Sequence, residues 1–188
     1  EVTTRVARQL LKAAQKTHIA LEAGAPGPDA APQENAAARY LTGMVARHPG
    51  EITLIATGPT TNLRHAQALD ADFFKKLRGL HLMGGVTEPL IWNGHRLADV
   101  NFARDPEAAY QAIHADCPVT LTPGQVGLGA VFRSPQFAKL QALDDPVSRL
   151  IARRIRFWFA LMRLYFRDGG NAMWDSTAVL PLTHPELF

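Results

Sequence analysis

Three apolar, β-rich runs, each ending near a glycine or proline, constrain this chain most. They are EITLIATG (51–58), GLHLMGG (79–85) and CPVTLTP (117–123). The first leads into PTTNLRHAQAL, and the second into a long polar loop (86–104) and then DPEAAYQAIHA (105–115). The third precedes SPQFAKLQAL and a long helical segment at 145–168 that carries most of the aromatics. Strand–helix alternation, with strands that read as apolar on both faces, predicts an α/β fold built on an open, mostly parallel sheet flanked by helices. Upstream, TTRVARQLLKAAQK (3–16) places Val6, Leu10, Leu11 and Ala14 at helical spacing, and residues 34–47 read as a second helix. HIALEAG (18–24) reads as a short strand, followed by a Pro-, Gly- and Ala-rich loop at 25–33. With 188 residues and neither an internal repeat nor a linker, a single domain over 1–188 is expected.

The composition narrows the class. At 47% hydrophobic the chain can bury a core, and a net charge of +3, with 17 acidic residues interspersed among 20 basic ones, does not call for nucleic acid. Cys117 is the only cysteine, so an intrachain disulfide is excluded. It is expected as a small buried hydrophobe in a reducing, cytoplasmic setting. No run of apolar residues is long enough to span a bilayer and no signal peptide is visible, so no membrane partner is expected. The chain starts at Glu1 rather than Met.

In open α/β sheets, ligands bind beyond the carboxyl ends of the strands. TGPTTN (57–62) makes a sharp turn into a helix with Thr60, Thr61 and Asn62 as candidate caps, and a helix N-terminus also favours anions or polarised oxygens. MGG (83–85) is followed by Asn93, Asp99 and Asn101, whose amides and carboxylate could grip a polyol or simply make a polar surface loop. In MWDSTA (173–178), Asp175 is either a helix cap or a hard oxygen ligand for Ca²⁺. Trp174 is either core or a platform for a flat ring. The arginines of 145–168 (149, 153, 154, 156, 163, 167), interleaved with Phe157, Trp158, Phe159, Tyr165 and Phe166, read as a solvated amphipathic face; steeply salt-dependent oligonucleotide binding would be the mark of a nucleic-acid module instead. GQVGLGA (124–130) has the wrong spacing for a dinucleotide loop and no clear helix directly after it. The histidines show no metal-ligand spacing.

Taken in order, TGPTTN, MGG, the segment from Asn93 through LADVNFARDPEAA, and WDSTA with HPELF behind it resemble the inosine–uridine-preferring nucleoside hydrolase family over nearly the whole chain. The resemblance implies a pocket at the strand ends with one Ca²⁺ at its floor. It also implies calcium-dependent hydrolysis of the N-glycosidic bond of a ribonucleoside through an oxocarbenium-like state. It assigns the Thr57 carbonyl and Asp175 to the metal, and Met83, Asn93, Asp99 and Asn101 to the ribose. Trp174 takes the place where many members hold a histidine that protonates the leaving base. A tryptophan there resembles the purine-preferring branch. A dimer or tetramer is expected. Two departures stand out. The family's opening D-x-D-x-x-x-D-D motif, source of most metal ligands and the general base, is absent from these 188 residues, and Asp99 replaces the usual glutamate. This chain alone is therefore expected to be inactive, and a non-catalytic nucleoside- or ribose-binding relative is the alternative.

Overall fold

The structure, a computed structural model, describes residues 2–166 and 170–187. Glu1, Arg167, Asp168, Gly169 and Phe188 lie outside the described residues, as do the side chains of Arg163, Tyr165 and Phe166. The end of the expected 145–168 helix therefore falls outside them. Down the chain run α1 (Val2–Ala13), α2 (Ala36–Arg47), β1 (Thr53–Ala56), α3 (Thr61–Leu69), β2 (Gly79–Met83), β3 (Ile91–Trp92), β4 (His95–Arg96) and α4 (Pro106–Ile113). Then come β5 (Val119–Thr122), α5 (Gly124–Leu128), β6 (Val131–Phe132), α6 (Ser134–Ala142), α7 (Pro146–Phe166), β7 (Asn171–Ala172), α8 (Trp174–Thr177) and α9 (Leu180–Thr183).

The α/β expectation holds. β1, β2 and β5 form a parallel sheet in the order β1-β2-β5, with Leu54 opposite Leu80 and Leu80 opposite Val119. Alternate side chains fall on opposite faces. Leu54, Ala56, Leu80, Leu82 and Val119 share one face and pack with Ala38 and Val45 of α2, Leu63 and Ala66 of α3, and Ala112 of α4. Phe73, Phe74 and Leu77, between α3 and β2, close this core. The other face carries Thr53, Ile55, His81, Met83, Thr120 and Thr122, so the strands are not apolar on both faces as their composition suggested. His81 shows the consequence: its Nδ1 is buried without a hydrogen-bond partner, and burial lowers its pKa, which favours the neutral ring.

Several local expectations are corrected. Residues 18–24 form no strand; a strand needs a partner, and this stretch is instead tied to helices. Ala37 N–H donates to the Ala23 carbonyl (3.0 Å), and Ala25 N–H donates to Asn62 Oδ1 (2.9 Å). The loop 86–104 contains the antiparallel β3–β4 hairpin, turned by Asn93 and Gly94 with φ of 49° and 79°. Two consecutive positive φ values are what an Asn-Gly pair supplies. GQVGL, to which the sequence reading assigned no element, is the short helix α5. Neither Thr60, Thr61 nor Asn62 caps α3 through its side chain. Thr60 sits at the cap position, but its hydroxyl is buried without a partner.

A second, smaller core lies beyond the sheet. Trp92 of the hairpin and Ala172 of β7 pack with Leu97, Leu128, Val131, Met162 and Trp174. The antiparallel pairing of β6 with β7 (Val131 opposite Ala172) brings the chain back from α7 to α5. Along α7, Phe159 is buried and stacks on Phe137 of α6 at 4.7 Å, whereas Phe157 is 80% exposed. Among the described residues no helix is long and apolar enough to cross a membrane.

Candidate functional site

The strand ends build the site. Beyond β2, a Cβ on Gly84 would stand 2.6 Å from the Phe102 ring, and Gly85 has φ +75°. Only glycine fits both demands, a close ring and left-handed backbone, so MGG lets the 99–102 segment fold down onto the strand ends. Asn101, 8% exposed, arrives there. Its amide donates to the Met83 carbonyl (2.9 Å), approaches Met83 Sδ (3.1 Å), and reaches the Thr57 carbonyl (3.4 Å). Thr57, Met83 and Asn101, drawn from three separate motifs, thus meet at the ends of β1 and β2.

Asp99 does something the sequence did not disclose. Its carboxylate accepts from the backbone N–H groups of Asn101 (3.1 Å), Phe102 (2.8 Å) and Ala103 (3.1 Å). It orders the turn that presents Asn101. It also borders a cavity of about 530 Å³ with Gly85, Val86, Leu90 and Leu97. Asn93 sits exposed at the hairpin turn and is not among the residues lining that cavity.

Trp174 joins the site through backbone. Its indole N–H donates to the Gly124 carbonyl (3.1 Å), and Gly124 N–H donates to the Gly85 carbonyl (3.0 Å). Trp92 meets Trp174 edge-on, with centroids 6.2 Å apart at 82°. Trp92, Trp158 and Trp174, with Leu97, Leu161, Met162 and Asn171, line a cavity of about 410 Å³. Trp158 donates its indole N–H to Asn171 Oδ1 (3.1 Å), and Asn171 Nδ2 donates to the Ala172 carbonyl (3.1 Å). Trp158 is 51% exposed, in line with the solvated-face reading, and also borders this cavity; sequence reasoning missed Trp92, Asn171 and the α5 glycines, and the signal within reach was that the chain's three tryptophans flank the motifs. A further cavity, of about 780 Å³, is lined by residues of α6 and α7.

Asp175 is not a cap. α8 begins at Trp174 with Met173 at the cap position, which puts Asp175 inside the first turn. The residue is exposed overall, yet local desolvation raises its carboxyl pKa. Ca²⁺ takes about six to eight oxygen ligands. The Thr57 carbonyl and the Asp175 carboxylate are too few, and among the described residues no group of three or more His, Cys, Asp or Glu gathers into a cation site. The described residues do not, by themselves, fit a calcium ion.

Comparison with known proteins places this geometry. The chain matches the inosine-uridine preferring nucleoside hydrolase family over residues 1–188, and it belongs to that family. It is 28% identical over 168 residues to the pyrimidine-specific ribonucleoside hydrolase RihA of Shewanella woodyi, covering 87% of this chain and 52% of that protein. The chain thus spans about half the length of the curated relatives it matches. Its fold superposes on a plant nucleoside hydrolase, PpNRh1, with a TM-score of 0.84 at 20% identity, covering 98% of this chain and 67% of that one. It also superposes on a purine-preferring ribonucleoside hydrolase from Gardnerella vaginalis with a TM-score of 0.71 at 22% identity, covering 81% of this chain and 48% of that one.

Proposed function

We propose that a longer protein containing this chain hydrolyses the N-glycosidic bond of ribonucleosides, releasing ribose and free base, with purine nucleosides preferred. One observation carries the reading: the polar cluster of Thr57, Met83 and Asn101 is linked through Gly85 and Gly124 to a cavity walled by tryptophans. Ribose takes the polar end, where the Asp99 turn presents Asn101, and Asn93 joins it from the exposed hairpin turn. The base takes the indole-lined end. Trp174, its N–H already bound to Gly124, contributes a ring face rather than a proton. The purine preference rests on the ring area that three indoles offer. The names of the similar proteins divide on this point: the curated relatives are pyrimidine-specific, and a structural neighbour at 22% identity is purine-preferring.

Members of the family bind a metal ion, and we propose Ca²⁺, with the Thr57 carbonyl and Asp175 as this chain's share of its ligands. The scarcity of donors favours a second reading for the 188-residue chain itself: it binds nucleoside without turnover. Ribose release from inosine and uridine, with and without a calcium chelator, separates the cases. The 188-residue chain is expected to release none. The longer protein is expected to release ribose, faster from inosine, and to stop on chelation. Release by the short chain in chelator would overturn the metal assignment, and uridine hydrolysed faster than inosine would overturn the purine preference. In the longer protein, Trp174→Ala is expected to raise KM for inosine about tenfold through lost stacking, as initial rates would show. A dimer or tetramer is also proposed.

A further inference from the structure

We propose that α5 is the seat of Trp174 and that Gly127 is the positioning residue that sets where the indole lies. The functional part of this inference rests on the reading of Trp174 as the base platform; the structural part does not. α5 is a poor helix by composition. It is GQVGL, with Gly124 and Gly127 both buried, and each glycine in a helix interior costs about 1 kcal/mol against alanine. Local stability therefore does not explain these glycines; space does. A Cβ on Gly127 would collide with the five-membered side of the Trp174 ring, standing 2.7 Å from Cγ and 2.8 Å from Nε1. Real Cβ atoms do not approach that closely, so the indole occupies the place where any other residue would put its side chain.

Gly124, one turn earlier, completes the seat. Its carbonyl receives the indole N–H (3.1 Å), its own N–H is held by the Gly85 carbonyl (3.0 Å), and a Cβ there would press on Leu90 at 3.1 Å. The end of β2 thus fixes α5, and α5 fixes the ring. The backbone entering Trp174 is pinned independently: Met173 N–H donates to the Ala130 carbonyl (2.8 Å), and Ala172 pairs with Val131. With its backbone held there, an indole pushed off α5 can only rotate at its side-chain torsions. That rotation would break the bond to Gly124, alter the edge contact with Trp92, and change the shape of the cavity they share.

The test is a cycle of Gly127→Ala, Trp174→Ala and the double variant in the 188-residue chain, read by thermal melting and by near-ultraviolet circular dichroism in the tryptophan region. Gly127→Ala is expected to lower the melting midpoint by about 5 °C and to reduce the tryptophan signal. Once Trp174 is alanine, the collision is gone, so the double variant should melt no lower than Trp174→Ala alone. Should Gly127→Ala fail to fold, a folded double variant makes the same point. A double variant that falls below Trp174→Ala by the same interval, or that fails to fold while Trp174→Ala folds, overturns the seat. Titration with inosine and with ribose, followed by fluorescence, reads the positioning role. Gly127→Ala should weaken inosine about tenfold and leave ribose unchanged, a split that general destabilisation would not produce. Equal loss of both ligands overturns the positioning role. If Trp174→Ala leaves inosine affinity intact, the base-platform reading fails; if the parent chain binds none, the same titration in the longer protein decides that reading, and in either case the melting cycle still decides the seat.

Discussion

Replacing Asp105 with alanine is expected to destabilise the chain by about 3 kcal/mol, the sum of a lost helix cap and of donors left unsatisfied in the interior. Asp105 is 4% exposed. Its Oδ1 accepts from Ala108 N–H (3.1 Å), which caps α4, while its Oδ2 accepts from the Thr61 hydroxyl (2.8 Å) and the Arg64 guanidinium (3.2 Å) of α3. One carboxylate therefore ties the helix after Thr57 to the helix after Asn101, and the two strand-end segments of the site are held by it. Alanine would strip the cap and strand the Thr61 hydroxyl and part of Arg64, whose Nε is already buried without a partner. Asp105→Asn keeps the cap and costs less, about 1–2 kcal/mol.

The pH dependence has a definite sign. Burial works to raise the Asp105 pKa, but the Thr61 hydroxyl, the Ala108 N–H and the Arg64 charge outweigh it and hold the carboxyl below the usual range. A depressed folded pKa means that the stabilisation is complete above the unfolded value, about 4, and is lost as pH falls through the folded value. Urea denaturation at neutral pH and again below about pH 4 should therefore show the gap between the parent and Asp105→Ala narrowing at the lower pH. A gap that stays constant would mean that the charge on Asp105 contributes nothing.

What was legible in the sequence follows how local each signal is. Asp105-Pro106 announces a helix start within two residues, and α4 begins there with the Asp105 side chain as its cap. The strands of the parallel sheet were legible because each is an apolar run bounded by a turn. HIALEAG carries the same local signature but lacks a partner strand, and partnership is not written in the run itself. Asn93-Gly94 was as local a signal as Asp-Pro, and reading 86–104 as one polar loop overlooked it. Of the two readings of Asp175, the cap fails because a cap depends on the exact first residue of the helix, and α8 starts at Trp174. The gathering of Thr57, Met83 and Asn101 was anticipated from the rule that open α/β sheets bind ligands at their strand ends, and the family resemblance added a role for each. The tryptophan cavity was not anticipated, because Trp92, Trp158 and Trp174 converge only after the hairpin, α7 and β7 have packed.

The substitution expected to cost most for its size is Asn101→Asp, which exchanges an amide for an isosteric carboxylate. The Asn101 amide has two hydrogens and faces acceptors: the Met83 carbonyl at 2.9 Å, the Thr57 carbonyl at 3.4 Å and Met83 Sδ at 3.1 Å. A carboxylate there would set oxygen against oxygen in a site that is 8% exposed. Loss of the hydrogen bonds alone, as in Asn101→Ala, should cost about 1–2 kcal/mol, and an unpaired buried charge raises that to about 3 kcal/mol or more. The usual ranking, in which the isostere is milder than alanine, is thus expected to invert. Protonation supplies the control. The introduced carboxyl would have its pKa raised by burial and by the facing carbonyls, and once protonated it can donate to one of them. Measured against the parent at the same pH, the Asn101→Asp penalty should shrink as pH falls through that raised value, while the Asn101→Ala penalty should not. Melting curves of both variants across the acid range test this. An Asn101→Asp variant that melts above Asn101→Ala at neutral pH would show that the amide is not held by the two carbonyls, and the joining of Thr57, Met83 and Asn101 would lose its physical basis.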